Sequence, residues 1–152
     1  MSYSNIELQR FLEAQNKLYT TALSELKRGK KETHWMWFVF PQYRGLGKSN
    51  VSDYYGIKDL DEANRYMQHP VLSRNLIEAT GLLLEYKKKS AEGILGDLGA
   101  MKLLSSMTLF SQTENANPIF QEVIDTFFFG CIDAKTASLI HAEPSSILAV
   151  AV

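Results

Sequence analysis

His69-Pro70-Val71-Leu72-Ser73-Arg74-Asn75-Leu76-Ile77-Glu78-Ala79-Thr80-Gly81-Leu82-Leu83-Leu84-Glu85-Tyr86 carries the clearest helical signal in the chain. Proline suits the first helical position, where the missing N–H would have no partner anyway. Leu72, Leu76, Ala79, Leu83 and Tyr86 then recur at alternating steps of four and three, which gathers them on one face at 3.6 residues per turn. A helix of this kind packs centrally, and the segments on either side share its period.

Upstream, Ser4 is placed to cap a helix whose apolar stripe is Leu8, Phe11, Leu12, Leu18, Tyr19, Ala22 and Leu26, with Gly29 as its stop. Gln15 interrupts that stripe and is read either as a buried, satisfied amide or as a group presented to a cleft. Asp59 and Asp61 mark the start of a short helix, about Leu60–Met67. Downstream, after Gly93, Gly96 and Gly99, Ala100–Phe110 is helical by propensity with Met101, Leu104 and Met107 on one side. Asn117-Pro118 opens a helix with Phe120, Val123, Ile124, Phe127 and Phe128 inward and Gly130 as its stop. Asp133 caps a last helix, Ala134–Ile140. Alternating apolar runs bounded by turn signals are missing, so the expectation is an all-α fold. We expect one compact multihelical domain over residues 1–142, followed by an apolar tail, 143–152, that ends Ile147-Leu148-Ala149-Val150-Ala151-Val152. Residues 33–56 are expected to form a short helical turn from Thr33 and then a long, ordered aromatic and glycine-rich loop.

Composition narrows the function classes. The chain has 152 residues, 45% of them hydrophobic, and 16 Lys+Arg against 17 Asp+Glu leave a net charge of -1. Such a chain supports a core without metal clips, and it lacks the strongly basic balance of a dedicated nucleic-acid binder. Cys131 stands alone, which rules out an intrachain disulfide and multi-thiolate zinc sites. No apolar run approaches the roughly 20 residues of a membrane span, and the first ten residues are polar and amphipathic, so a cytoplasmic location is expected. Lys87-Lys88-Lys89 ends a helical pattern, where cations suit the helix dipole.

The chemically unusual stretch is His34-Trp35-Met36-Trp37-Phe38-Val39-Phe40-Pro41-Gln42-Tyr43-Arg44-Gly45-Leu46-Gly47-Lys48-Ser49. Trp35 to Tyr55 holds seven of the 17 aromatics, and residues 27–48 carry six cations against Glu32 alone. Arg44 beside Gly45 and Gly47 fits an anion clamp, because a guanidinium donates in two prongs and glycine lets backbone N–H groups approach. Trp35 or Trp37 would stack on a planar or sugar-like moiety, Gln15 and Gln42 would read polar edges, and Ser49 and Tyr55 would supply hydroxyls or tie the loop down. His34 is the preferred general acid/base, since histidine ordinarily titrates near neutral pH. Gly47-Lys48-Ser49 is not a P-loop, because Gln42 stands where the first glycine belongs and no strand precedes it. His34, His69 and His141 show no ligand spacing, so no metal or cofactor is expected. His69 reads as a helix-start residue. Ser105-Ser106 lacks the nucleophile-elbow pattern and reads as packing or helix back-bonding.

Taken together, His34 to Gln42, Gly45-Leu46-Gly47 with Ser49, Tyr55, His69-Pro70 and Lys102-Leu103-Leu104-Ser105-Ser106-Met107-Thr108-Leu109-Phe110 resemble the domain of unknown function 1810 family. Phe11, Ala14, Gln15 and Tyr19 near the start, and Phe127-Phe128-Gly130 with Asp133 near the end, fit the same pattern over about residues 5–141. The resemblance implies a compact multihelical domain and assigns no reaction. The label calpastatin borne by some members does not suit this chain, which has a large apolar content and no repeats, unlike a disordered inhibitor.

Two function classes follow. The first is a site for a small anionic ligand, nucleotide-like (ADP-ribose types included) or sugar-phosphate-like, in a cleft between the first helix and the 34–55 loop. The second is a protein-interaction module in which the aromatic loop or the C-terminal tail docks a partner or a second copy. A concave pocket exposing His34, Gln42 and Arg44 would favour the first, and a flat exposed Trp surface the second.

Overall fold

The computed structural model describes residues 3–144, and these form eight helices: α1 (Tyr3–Lys27), α2 (Met36–Val39), α3 (Asn50–Tyr55), α4 (Leu60–Gln68), α5 (Pro70–Leu84), α6 (Ala91–Ser111), α7 (Ile119–Phe128) and α8 (Ala134–His141). An isolated bridge between Tyr43 and Ile57 is the sole β-type pairing among the described residues, so the fold is all-α. Helix α5 is central as its stripe predicts: Leu72, Leu76, Ala79 and Leu83 are sealed, and the helix packs on α1, α4 and α7. His69 starts it, with Nδ1 accepting from the N–H groups of Val71 and Leu72 at 3.2 and 3.3 Å. Asp59, Ser90 and Asp133 cap α4, α6 and α8 in the same way.

Three local expectations change. Helix α1 begins at Tyr3, so Ser4 lies inside its first turn. The expected long loop is divided by α2 and α3, because Ser49 accepts from the Ser52 N–H at 3.0 Å and nucleates a helix there; the first turn starts at Met36 rather than Thr33. In α6 the inward residues are Ala100, Leu103, Met107 and Phe110, whereas Met101 faces solvent. The reason is that Ser105 to Phe110 are all buried, so no single stripe identifies the face; upstream, Gly96, with a φ of 82°, breaks the helix. Ser105 back-bonds to the Met101 carbonyl at 3.1 Å.

Of the expected tail, residues 145–152 lie outside the described residues. Glu143 accepts from the Tyr43 hydroxyl at 2.9 Å and the Leu60 N–H at 3.0 Å, tying the end of the helical body to the start of α4. Among the described residues no helix is long and apolar enough to cross a membrane.

Asp133 joins α8 to α6, accepting from the Thr136 N–H at 3.0 Å and hydroxyl at 2.5 Å while its own N–H donates to Thr108 Oγ1 at 2.9 Å. Asp133→Ala is expected to lower stability by about 1–2 kcal/mol, as for loss of a helix cap, and Asp133→Asn by less. Urea unfolding midpoints measure the difference.

Candidate functional site

Glu25 sets the geometry that follows α1. Its buried carboxylate accepts from the Glu32 N–H at 2.6 Å, the Thr33 N–H at 2.8 Å, the Thr33 hydroxyl at 2.5 Å and the Trp35 indole N–H at 2.9 Å. Burial alone would raise its pKa, but the Thr33 hydroxyl, the two backbone N–H groups and the indole outweigh it and hold the group down to about 2. This clasp fixes Thr33 and Trp35 and presents the intervening His34 to solvent. The Lys31 N–H donates to the Ile94 carbonyl at 2.7 Å, bringing the same segment against α6.

Between them lies a cavity of about 430 Å³ lined by Lys31, His34, Trp37, Lys102 and the turn from Gly96 to Gly99. The Lys102 ammonium stands 4.7 Å from the Trp37 ring centroid and the Lys31 ammonium 5.5 Å from that of Trp35. The His34 ring is 6.2 Å from Trp37, tilted by 31°. Desolvation lowers the pKa of both lysines; the charge of Lys31 lowers Lys102 further, while Glu25 pulls Lys31 back up. Neither ammonium is in an ion pair among the described residues. Asp97 is the carboxylate on the cavity wall. The chain restarts as a helix after Gly96, so the positive end of that segment borders the cavity. Gly99 permits the close turn, since a Cβ there would sit 2.8 Å from Leu95 Cβ. On the cavity wall Trp37 Nε1 is buried and finds no protein partner among the described residues, whereas Ser106, one turn beyond Lys102, is sealed in the core outside the cavity lining.

The other expected site residues are placed apart from it. Gln15 is in the core: its Nε2 donates to the Phe38 carbonyl at 2.7 Å and the Tyr66 hydroxyl at 3.1 Å, and its Oε1 accepts from Asn75 at 2.9 Å. Gln42 is buried with Oε1 unpaired. Arg44 is exposed and borders a separate recess of about 550 Å³ whose walls include Glu7, Glu13, Asp53 and Glu62. Gly45 has a φ of +100° and faces open space, and Gly47 lets α3 approach, because a Cβ there would lie 2.3 Å from Ser52 Cβ. Ser49 caps α3, and Tyr55 packs on Phe38 and Phe11. Thus His34 and Trp37 meet at one cavity, and the expected cleft between α1 and the loop is filled by Gln15 and its partners.

Lys31, Lys102 and Glu25 were not singled out by the sequence pattern. Lys102 carried the better signal, a lone cation within an apolar helix that follows three spaced glycines. Two larger concavities, about 720 Å³ along α1 and α5 and about 760 Å³ beside Glu143, hold polar groups already paired, such as the Tyr19 hydroxyl donating to Glu78 at 2.7 Å.

A comparison with curated proteins returns no match. Among solved structures, the chain is similar to the conserved hypothetical protein Rv1873 from Mycobacterium tuberculosis, with 42% identity over 90% of this chain and 98% of that one and a TM-score of 0.88. A family model described as a protein of unknown function, DUF1810, matches residues 5–140, which takes in every helix from the body of α1 to α8. Sequence and architecture agree over nearly the whole described chain, and this protein belongs to the DUF1810 family.

Proposed function

We propose that this protein binds a small anionic ligand, nucleotide-like or sugar-phosphate-like, in the cavity between the 31–37 segment and α6. The observation that carries the reading is the convergence of two ammonium groups, Lys31 and Lys102, without ion-pair partners among the described residues, on one recess backed by indole faces and the start of a helical segment. Cations held over low-dielectric walls attract an anion more strongly than cations in open water. The partly exposed Trp37 ring beside them suits a planar or sugar ring, and its unpaired Nε1–H is a donor on the cavity wall. His34 is the group placed to move a proton to or from the ligand. Gln15 and Trp35 support this site from behind, and Arg44 stands outside it.

The interaction-module reading draws less support. Trp35, Phe38, Phe40 and Tyr43 are buried and give no flat aromatic surface, and most of the tail lies outside the described residues. Titration calorimetry and thermal unfolding with inorganic phosphate, ADP-ribose and a nucleoside monophosphate test the proposal. At one hundred times Kd a ligand adds about 2.7 kcal/mol. Lys102→Met is expected to weaken binding at least tenfold while Arg44→Ala leaves it unchanged. No heat and no shift with any of these compounds, or a shift that survives Lys31→Met with Lys102→Met, would overturn it.

A further inference from the structure

We infer that Lys102 is an amine nucleophile, forming a Schiff base with the carbonyl carbon of a phosphorylated aldehyde or open-chain sugar held in this cavity. The inference rests on the anionic-ligand reading and goes beyond it, from binding to covalent chemistry. Four observations carry it. Lys102 projects from α6, and its half-buried side chain sets the ammonium over the Trp37 ring, in no ion pair among the described residues. Lys31 lines the same recess and supplies a second positive charge. Histidine 34 shares the recess and can relay protons. Trp37, which lines the recess, carries an indole N–H without a protein partner among the described residues.

The two lysines are not equivalent. Lys31 has the Glu25 carboxylate behind it, which favours its charged form; Lys102 has no such help and is further disfavoured as a cation by Lys31. A lysine desolvated beside another cation is the arrangement that leaves an amine neutral and nucleophilic. Lys31 therefore holds the phosphate and favours the neutral form of Lys102, and Lys102 attacks through its neutral fraction. The Nζ lone pair forms the N–C bond as the carbonyl π pair moves to oxygen, which takes a proton from His34. His34 recovers a proton from the attacking nitrogen. The resulting carbinolamine then loses its hydroxyl as water, with a proton delivered by His34, and the nitrogen lone pair forms the C=N bond. Loss of the last N–H proton to His34 leaves a neutral imine. Amine plus aldehyde thus gives imine plus water, with no external oxidant or reductant.

Reductive trapping tests the inference on the full chain. The protein is mixed with glyceraldehyde 3-phosphate below one equivalent, reduced with borohydride and mapped by peptide mass spectrometry, with unphosphorylated glyceraldehyde in parallel. One adduct is expected, at Lys102, at least tenfold above any other lysine, suppressed by inorganic phosphate and at least tenfold weaker without the phosphoryl group. Lys102→Arg, which keeps the cation over Trp37, should abolish the adduct while phosphate still binds by calorimetry. Lys31→Met should reduce both. Adducts spread over the exposed Lys87, Lys88 and Lys89 with none enriched at Lys102 would overturn the inference. If phosphate compounds bind in a Lys102-dependent manner but no adduct forms, the nucleophile falls and the binding reading stands; if neither occurs, both fall.

Discussion

Glu25→Ala lowers the stability of the protein by about 3 kcal/mol, the expected result of leaving a buried indole N–H and two backbone N–H groups without their charged acceptor. For a chain of this length that corresponds to a fall in Tm of about 6–12 °C. The size of the effect follows from the convergence of four donors on one carboxylate, since hydrogen bonds to a charged group contribute about twice as much as neutral ones. Glu25→Gln separates charge from shape. Its amide fills the same space but accepts through one oxygen, so it should recover part of the loss. Acid titration adds a second signature. The folded pKa of Glu25 lies at about 2, below the ordinary value of 4.5, so its contribution is complete above 4.5 and disappears as pH falls from there toward 2. Wild-type protein should therefore lose stability across that window more steeply than Glu25→Gln. Equal slopes for the two, measured by urea unfolding at several pH values, would show that the clasp is not charged.

That clasp also shows where sequence reading reached its limit. The stripe of α5, the Asn117-Pro118 helix and the caps at Asp59, Asp133 and His69 were legible because their determinants lie within one or two turns of the residues they organise. Glu25 sits beside Leu26 near the end of an amphipathic helix, where a charged residue ordinarily means solvent; its burial is decided by chain that returns seven to ten residues later. The aromatic segment stands out in composition, yet the expected site has its residues facing one cleft. Helices α2 and α3 turn them apart: His34 and Trp37 look toward α6, and Arg44 toward α1 and α4. Lys102 meets His34 through tertiary packing alone, and only the quoted motifs, each holding one half of the cavity, hinted that the two segments belong together. The phase of α6 is hidden for a different reason, because the helix is buried on every side from Ser105 to Phe110 and leaves no polar face there from which a period can be read.

Arg10→Ala is expected to cost more than any other single change considered, about 3–5 kcal/mol, because it strands a carboxylate that is itself sealed from water. Arg10 meets Glu62 through two nitrogens, Nη2 to Oε1 at 3.1 Å and Nη1 to Oε2 at 3.3 Å, in a two-pronged pair. The same guanidinium donates to the Tyr54 and Gly56 carbonyls, each at 2.9 Å, and to the Glu7 carbonyl, while its carbon stands 4.3 Å from the Phe11 centroid. One side chain on α1 thus closes the end of α3 and the start of α4 together. Lysine cannot replace it, since a single ammonium does not span a carboxylate and two divergent carbonyls, so Arg10→Lys should remain close to Arg10→Ala. The pair is coupled, and a double-mutant cycle exposes this. Arg10→Met with Glu62→Leu removes both charges and should be less destabilising than the sum of the single changes by about 2–3 kcal/mol. Additive losses in thermal or urea unfolding would mean that each group is solvated independently, and that α1 is joined to α3 and α4 by apolar packing alone.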